Sequence, residues 1–329
     1  MAFIKNTLNI TTNIAQAYDL IGDVHGCAHS LESLLKKMGY QHRQGCYRHA
    51  QRKVIFVGDI VDRGPRIREA LHIVKDMVDQ GQAEIVLGNH EYNAMCYCTE
   101  GREGSPHQYL REHNARHHRL IRETLEQFES FRQEWFSFLK WFHEIPLFIE
   151  KEKFRVVHAC WDSKAISRFK EISSNHCISE DLLHASTESD SFSGAVIDKL
   201  TRGTALELPN GETILGKDGL ARHMFRTKFW SDKPQTYNDV VFQPDPLPAD
   251  MAHRPLSAIE KQKLLHYPYS ELPVFVGHYW MSSTPSPITD NIACLDYSAV
   301  KYGKLVAYRM DDEQHLSQDK FIWVNVERE

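Results

Sequence analysis

The chain has 329 residues and a formal net charge of −5, with 42% hydrophobic and 25% charged residues. This composition is typical of a globular protein with ample material for a core, which excludes disordered and fibrous classes. The acidic balance offers no basic surface for nonspecific nucleic-acid binding, so such a partner is not expected. The length allows one large or two small domains, and we expect a single domain over 1–329 that carries insertions.

Cysteine usage and the first residues bear on the compartment. Seven cysteines are scattered without the spacing of a small secreted framework, which predicts reduced thiols. Residues 1–6 lack the cationic and apolar regions of a signal peptide, and no run of about 18 apolar residues could span a membrane. We therefore expect a cytoplasmic protein without a membrane partner.

Three strand-turn-helix units follow one another in the first part of the chain. Apolar, β-branched runs predict strands at 17–22, 53–58 and 83–88, each followed by a polar turn and then a helical pattern. The turns are Gly22-Asp23-Val24-His25-Gly26, Gly58-Asp59-Ile60-Val61-Asp62-Arg63-Gly64 and Gly88-Asn89-His90-Glu91. Open α/β folds place their chemistry where strands end, and Asp, His and Asn side chains suit divalent metals. These turns are therefore the candidate site.

The region from about 107 to 143 is charged and helical in pattern. Apolar residues recur there at spacings of three or four until Ile145-Pro146, which predicts a long amphipathic helix that is inserted in the domain and packs on the sheet. His113 and His117 lie four residues apart, with His118 beside them, and could hold a metal. A solvated helix face is the favoured interpretation, because the arginines around them would repel a cation.

Two later strands end in a histidine. A hairpin predicted over 147–157 leads into His158, and the apolar run Val274-Phe275-Val276 leads into Gly277-His278. Between them, residues 162–256 contain turn signals and an extended proline-bearing loop. We expect this region to form a cap over the site.

At these motifs the chain resembles the calcineurin-like metallophosphoesterases, and among them the phosphoprotein phosphatases and the bacterial dinucleoside tetraphosphatases. The GDxHG, GDxVDRG and GNHE patterns are present without a substitution at any fixed position. Their first glycines, Gly22, Gly58 and Gly88, have the spacing of strand-helix-strand units. The resemblance covers most of 17–160 and 273–310, and it implies an α/β (α+β) fold of two packed mixed β-sheets flanked by helices.

The resemblance also implies a centre with two divalent metal ions. The ligands that it implies for the first ion are Asp23, His25 and Asp59. Those for the second are Asp59, Asn89, His158 and His278, so that Asp59 bridges the two ions. Such nitrogen and oxygen donors admit Mn, Fe, Zn or Co, and we favour Mn. In the implied mechanism, a metal-bound hydroxide attacks phosphorus in line and no covalent enzyme intermediate forms.

The family pattern further implies residues that act on the substrate. They are His90 as general acid, Asp62 as the group that orients it, and Arg63 as a clamp on the phosphoryl oxygens. A second clamping arginine is usual in the family. We select Arg226, which lies near the phosphatase-like Trp230-Ser231-Asp232, and keep Arg222 and Arg202 as alternatives.

The substrate is open between phosphoanhydrides such as dinucleoside tetraphosphates and proteins with phosphorylated Ser, Thr or Tyr, because the same mechanism serves both. His158-Ala159 and Tyr302-Gly303-Lys304-Leu305 are similar to the tetraphosphatases and favour the nucleotide, whereas Cys160 departs from both patterns. A phosphodiesterase or nuclease on the same fold is a further alternative.

Two other classes fit less well. Cys46 and Arg52 have the Cys-x5-Arg spacing of cysteine-dependent tyrosine phosphatases, but the residues between them do not form a glycine-rich phosphate loop. A metal-binding scaffold without activity would be expected to lack some of the ligands, and none is missing. We therefore expect a phosphatase that acts on a phosphorylated small molecule or a phosphoprotein.

Overall fold

The structure is a computed structural model that describes residues 17–105, 107–208, 211–215, 221–242 and 247–327. The start of the chain, on which the signal-peptide expectation depends, lies outside these residues, as do residues 243–246 of the proline-bearing loop. The strands of the first half are β1 Ala17–Ile21, β2 Gln41–Arg43, β3 Cys46–Arg48, β4 Arg52–Phe56, β5 Ala83–Ile85, β6 Phe148–Glu150 and β7 Arg155–Val157. Those of the second half are β8 Ala205–Glu207, β9 Ile214–Leu215, β10 Ala221–Arg222, β11 Met224–Arg226, β12 Val274–Val276, β13 Ile292–Cys294, β14 Asp296–Tyr297, β15 Lys304–Met310 and β16 Phe321–Asn325.

Helices lie between the strands. They are α1 Ala28–Lys37, α2 Ile67–Asp79, α3 Asn89–Cys98, α4 Ala115–Gln127, α5 Arg132–Phe142, α6 Ser163–Ile172, α7 Glu180–Ser186, α8 Phe192–Arg202, α9 Tyr237–Val240, α10 Ala249–Ala252 and α11 Ala258–Lys263. Within the described residues, none of them combines the length and the apolar character needed to span a membrane.

The predicted strand-turn-helix units form the centre of the first sheet. Its strand order is β14-β15-β1-β4-β5, with β16 paired to β15. The strands β1, β4 and β5 run parallel, with Leu20 opposite Ile55 and Ile55 opposite Glu84, whereas β15 is antiparallel to β1. The connecting helices α1 and α2 bury their apolar faces, including Leu31 and Val74. The sheet is therefore mixed and covered by helices.

A second mixed sheet packs on the first. Its order is β13-β12-β7-β6, with β7, β12 and β13 parallel and β6 antiparallel to β7, as in the predicted hairpin. An apolar layer that includes Leu20, Val57, Phe275 and Tyr308 joins the two sheets, and the rings of Phe275 and Tyr308 lie 5.1 Å apart. The predicted architecture of two packed mixed sheets with flanking helices is confirmed.

The region 107–143 contains two helices, and the expectation of one long helix was wrong. Helix α4 ends at Gln127, and α5 begins at Arg132 after a short turn. The turn lets Phe128 pack on Phe138, with ring centroids 5.7 Å apart. In a continuous helix these residues would be separated by about 15 Å along the axis, because each residue advances the helix by about 1.5 Å. Burial of this aromatic pair is therefore the physical reason for the break.

The histidines of this region follow neither interpretation fully. His113 precedes α4, and its ring stacks between Tyr97 and Tyr109 at centroid distances of 3.8 and 4.0 Å. His118 Nδ1 lies 3.1 Å from the Tyr97 hydroxyl. Within the described part of the chain they belong to no cluster of metal-ligating groups. His113 is thus part of an aromatic stack and not of a solvated helix face.

The region 162–256 contributes α6–α10 and two small antiparallel pairs, β8 with β11 and β9 with β10. Its central part has an apolar cluster of its own that includes Leu206, Phe225, Tyr237 and Met251. Strand β11 carries Arg226, whose Nη1 donates to the His278 carbonyl oxygen at 3.1 Å. This contact places one edge of the region beside the end of β12.

Candidate active site

Strand ends from both sheets converge on one buried group of polar residues. Asp23 and His25 follow β1, Asp59 follows β4, and Asn89 is the first residue of α3, just after β5. His158 and His278 follow β7 and β12 of the second sheet. All six side chains are buried. Residues that are far apart in sequence are thus brought together because parallel strands place their carboxyl ends at one edge of a sheet.

Asp59 lies at the centre of this group. Its Oδ2 is 3.7 Å from His25 Nε2 and 3.3 Å from His158 Nε2. Potential ligand atoms of His25, Asp59 and His90 lie within 4.8 Å of one another, and the same holds for Asp59, His158 and His278. Asp59 therefore belongs to both groups. The first group also contains His90, which the family pattern implies as general acid, and Asp23 belongs to neither group.

Asp23 contacts the backbone of His278 at the end of β12. Its Oδ2 accepts a hydrogen bond from the backbone N–H of His278 at 3.2 Å. Gly277 permits this approach, because a Cβ at that position would lie 2.0 Å from Asp23 Oδ1. Burial and the neighbouring carboxylates Asp296 and Asp59 raise the pKa of Asp23 well above its usual value.

The histidines are oriented so that their Nε2 atoms face the site. His25 Nδ1 lies 2.9 Å from the Val61 carbonyl oxygen, and His158 Nδ1 lies 2.7 Å from that of Val57. A carbonyl can only accept, so each Nδ1 carries a proton, which leaves Nε2 as the nitrogen that could bind a metal ion. A ligating histidine commonly has its second nitrogen fixed in this way.

The donors present fit divalent metal ions. Asp23 Oδ1 and His278 Nε2 are buried and have no hydrogen-bond partner among the described residues. Buried polar atoms without a partner are uncommon and call for an explanation such as an ion. The carboxylates of Asp23, Asp59 and Asp296 also lie close enough to repel one another. A cation among them would satisfy the orphan atoms and remove the repulsion.

The backbone of the site is held in an unusual conformation. Five of its residues have a left-handed φ, namely His25 at 42°, Asp59 at 54°, Asp62 at 69°, Arg63 at 71° and His278 at 64°. Each such residue costs of order 1–3 kcal/mol and persists only where the surroundings impose it. Glu91 supplies much of that support. Its Oε2 accepts from the N–H groups of Asp59 and Gly88 at 2.9 and 3.1 Å, and its Oε1 accepts from those of Ile60 and Val61 at 2.7 and 3.2 Å.

His90, Asp62 and Thr124 form a buried chain of hydrogen bonds. His90 Nδ1 lies 2.6 Å from Asp62 Oδ2, and the Thr124 hydroxyl donates to Asp62 Oδ1 at 2.5 Å. The same hydroxyl accepts from the backbone N–H of Asp62 at 3.1 Å. Burial raises the pKa of Asp62 to about 8 and lowers that of His90 to about 3. The hydrogen bond between Oδ2 and Nδ1 joins the two groups and fixes the orientation of the imidazole ring.

The candidate phosphate-binding arginines differ in position. Arg63 Nη1 lies 3.2 Å from His25 Nε2, and Arg226 contacts the His278 backbone as described above. Arg202 at the end of α8 contacts Asp198 and Asn93, and it is close enough to His90 to lower the pKa of that residue. Arg222 is exposed on β10. The structure thus brings Arg63, Arg226 and Arg202 to the site.

Three residues of this arrangement were not singled out from the sequence. In the sequence, the only signal for Glu91 is its place in the GNHE motif. Asp296 directly follows Leu295, which extends the apolar run of β13. The strand-end signal that indicated the other site residues could therefore have identified Asp296. Thr124 gave no signal, because it lies in an amphipathic helix 62 residues from its partner Asp62.

Comparisons with known proteins agree with this geometry. The family model of the calcineurin-like phosphoesterases matches residues 18–278. A bis(5'-nucleosyl)-tetraphosphatase PrpE [asymmetrical] of Oceanobacillus iheyensis is 32% identical over 142 residues, which are 43% of this chain and 54% of that protein. Its namesake from Halalkalibacterium halodurans is 45% identical over 74 residues, 22% of this chain and 30% of that protein. The matches thus span about half or less of these relatives' own length.

A likeness to a solved structure extends over most of the fold. The cold-active protein-tyrosine phosphatase of a psychrophilic Shewanella species has a TM-score of 0.50 at 15% identity, over 95% of this chain and 80% of that one. At this identity the likeness concerns the fold alone.

Proposed function

Because the chain belongs to the calcineurin-like phosphoesterase family, we propose that it is a dinuclear metal-dependent hydrolase of phosphate esters and anhydrides that prefers dinucleoside tetraphosphates. The observation that carries the proposal is the convergence of Asp59 with His25 and His158 at distances suited to shared cations. The buried atoms of Asp23 and His278 that lack hydrogen-bond partners among the described residues support it further.

The residues that would hold the ions are those at the strand ends. They are Asp23, His25, Asp59, Asn89, His158 and His278, with Asp59 shared between the two ions. Two divalent ions at such a site lower the pKa of a coordinated water and neutralise charge on the phosphoryl oxygens. Among the metals that suit these donors we favour Mn, although Fe, Zn and Co have compatible preferences.

The buried thiols, among them Cys160 and Cys294, are consistent with a cytoplasmic location.

The remaining polar residues would bind and protonate the substrate. Arg63 presents a planar guanidinium beside His25 and can donate two parallel hydrogen bonds to phosphoryl oxygens. Arg226 can add a second positive charge from the side of His278. Because Nδ1 of His90 faces Asp62, its Nε2–H can be directed at the leaving oxygen and give it a proton. Thr124 would fix Asp62 and, through it, the plane of the imidazole ring.

The substrate preference has two candidates. The relatives named bis(5'-nucleosyl)-tetraphosphatases favour a nucleotide anhydride. A phosphoprotein is the second candidate, since the motifs at Asp59 and His90 resemble the phosphoprotein phosphatases equally well. A phosphodiesterase activity on this fold is a third. The cap expected over 162–256 would select between these substrates. The contact of Arg226 with His278 supports a position of the cap beside the site.

The direct test compares initial rates with three substrates. Diadenosine tetraphosphate, a phosphoserine peptide and a phosphotyrosine peptide are supplied to the full chain with Mn and again after chelation. We expect metal-dependent cleavage of diadenosine tetraphosphate to be the fastest reaction. A faster reaction with either peptide would make the protein a protein phosphatase. The absence of metal-dependent turnover with all three would refute the proposed activity.

A further inference from the structure

An aromatic ring borders the candidate active site on the side of Arg63. Trp280 is half-buried and lies two residues after His278. Arg63 Cζ lies 5.9 Å from the centroid of its ring, and Lys301 Nζ lies 3.7 Å from it. Arg63 also contacts His25. A single ligand could therefore place a phosphate at the candidate metal ligands and another part of the molecule against Trp280.

The two cations beside this ring form no ion pair with another described residue. Among the described residues, no carboxylate oxygen lies within 4 Å of the charged nitrogens of Arg63 or Lys301, whereas Arg52 pairs with Asp19 and Asp311. Two positive groups beside one ring therefore have their charge available for an anion. Guanidinium and ammonium groups are the side chains that proteins use to bind phosphates.

The segment that carries Lys301 is well anchored. Ala299–Lys301 form a single turn of 3-10 helix in which the Lys301 N–H donates to the Ser298 carbonyl at 2.8 Å. The Ser298 N–H in turn donates to Oδ1 of the buried Asp296 at 2.8 Å. Lys301 is thus presented from a turn that is tied to the floor of the site. Only the side chain of Lys301, and not its backbone, then has to move when a ligand binds.

We propose that Trp280, Arg63 and Lys301 form a subsite for a nucleotide part of the substrate. The nucleobase stacks on Trp280, and the two cations bind phosphates of the attached chain. Every nucleobase has a π face that can stack on an aromatic ring. A cation–π contact at a partly exposed ring is weak, so a base can take the place of Lys301, whose ammonium then turns to the phosphates. The inference rests on the proposed function and names the substrate class of its site.

A nucleotide fits this arrangement better than a phosphopeptide does. A phosphopeptide brings one phosphate, for which Arg63 beside His25 is a sufficient cation. Lys301 would then have no anionic group to bind. A nucleoside polyphosphate brings several phosphates in a row and a planar ring at the end, which uses all three groups.

The test measures binding separately from turnover. Dissociation constants of ADP and of inorganic pyrophosphate are determined by titration calorimetry on the metal-loaded full chain. We expect Trp280→Leu to weaken ADP binding roughly 10- to 100-fold relative to pyrophosphate, the range given by loss of one base–aromatic stack. Trp280→Phe should retain most of the ADP affinity, and Lys301→Gln should weaken both ligands by similar factors. Phe136→Leu is the matched control, because that aromatic residue is 58% exposed on α5.

The possible outcomes distinguish a failure of the proposed subsite from a failure of the proposed catalytic activity. If Trp280→Leu leaves the ratio of ADP to pyrophosphate affinity unchanged, the subsite is refuted even when the wild-type chain cleaves diadenosine tetraphosphate. If a phosphotyrosine peptide loses affinity in Trp280→Leu while ADP does not, the ring serves a peptide and the inference is wrong. Base-dependent binding without metal-dependent hydrolysis would support the subsite and refute the proposed catalytic function. Unfolding midpoints of all variants ensure that folded proteins are compared.

Discussion

Replacement of Thr124 by valine tests whether the inserted helix α4 supports the candidate catalytic pair. Valine has nearly the shape of threonine, so the change removes a hydroxyl and adds a methyl group. In the native chain that hydroxyl donates to the Asp62 carboxylate at 2.5 Å and accepts from the Asp62 N–H at 3.1 Å, and Thr124 is fully buried. The variant therefore removes two hydrogen bonds that Asp62 makes in the interior.

The expected cost follows from those two hydrogen bonds. An intramolecular hydrogen bond contributes about 0.5–1.5 kcal/mol, and a buried polar group that loses its partner costs about 1–3 kcal/mol. We expect Thr124→Val to lower the free energy of unfolding by roughly 2–4 kcal/mol, because the two contributions share one hydroxyl and do not add fully. Thr124→Ser keeps the hydroxyl and loses one methyl group, so it should cost only about 1 kcal/mol.

The catalytic effect should depend on the leaving group. If Asp62 is no longer fixed, His90 protonates the leaving oxygen less well, and general acid catalysis of this kind contributes about 10²–10⁴-fold. We expect kcat of Thr124→Val to fall about tenfold or more with a phosphoserine peptide, whose alkoxide leaves poorly. With 2,4-dinitrophenyl phosphate, whose phenolate needs no proton, the fall should be much smaller.

Urea unfolding and steady-state kinetics with both substrates, together with the metal content of each variant, check this reasoning. Thr124→Ser should restore most of kcat with the phosphoserine peptide. An equal loss of kcat with both substrates would mean that Thr124 acts on the fold or the metals and not on protonation. A destabilised Thr124→Val with unchanged kcat on the poor leaving group would refute the positioning role.

Three further predictions concern the shared metal ligand, the general acid and the second arginine. Asp59→Ala should abolish both activity and metal binding, because Asp59 lies between His25 and His158; retention of bound metal in elemental analysis would contradict this. His90→Ala should slow catalysis while metals are retained, and turnover at the wild-type rate would exclude its role as acid. Arg226→Ala should lower kcat/KM by roughly 10²-fold, as expected for the loss of one donor to the transition state. Arg222→Ala, on the exposed strand β10, is the control and should have little effect. Equal losses in the two variants would refute the choice of Arg226.

The sequence was most informative where one local pattern predicts both an element of the fold and the site residues beside it. An apolar run followed by a glycine-bounded polar turn predicts a strand and the polar residues after it together, and in the structure Asp59 follows β4 and His90 follows β5 at the start of α3. His158 and His278 followed from the same pattern at β7 and β12. The parallel pairing of these strands then accounts for their convergence.

The sequence was less informative where contacts between distant residues decide the structure. The break between α4 and α5 depends on the packing of Phe128 against Phe138, and periodicity alone does not reveal it. Thr124 reaches Asp62 only because α4 folds back beside the turn that follows β4. Trp280 gains its significance from Arg63 and Lys301, which come from two other loops.

The backbone of the site has the same dependence on distant contacts. The left-handed φ values of His25, Asp59 and His278 are unfavourable in isolation, and a sequence of Asp and His residues does not predict them. Glu91 offsets part of that cost at Asp59 by accepting from the N–H groups of Asp59, Ile60 and Val61. These hydrogen bonds form within the chain itself and hold the backbone that carries Asp59. The glutamate of the GNHE motif is therefore a positioning residue, and it explains how a carboxylate can face both groups of ligands at once.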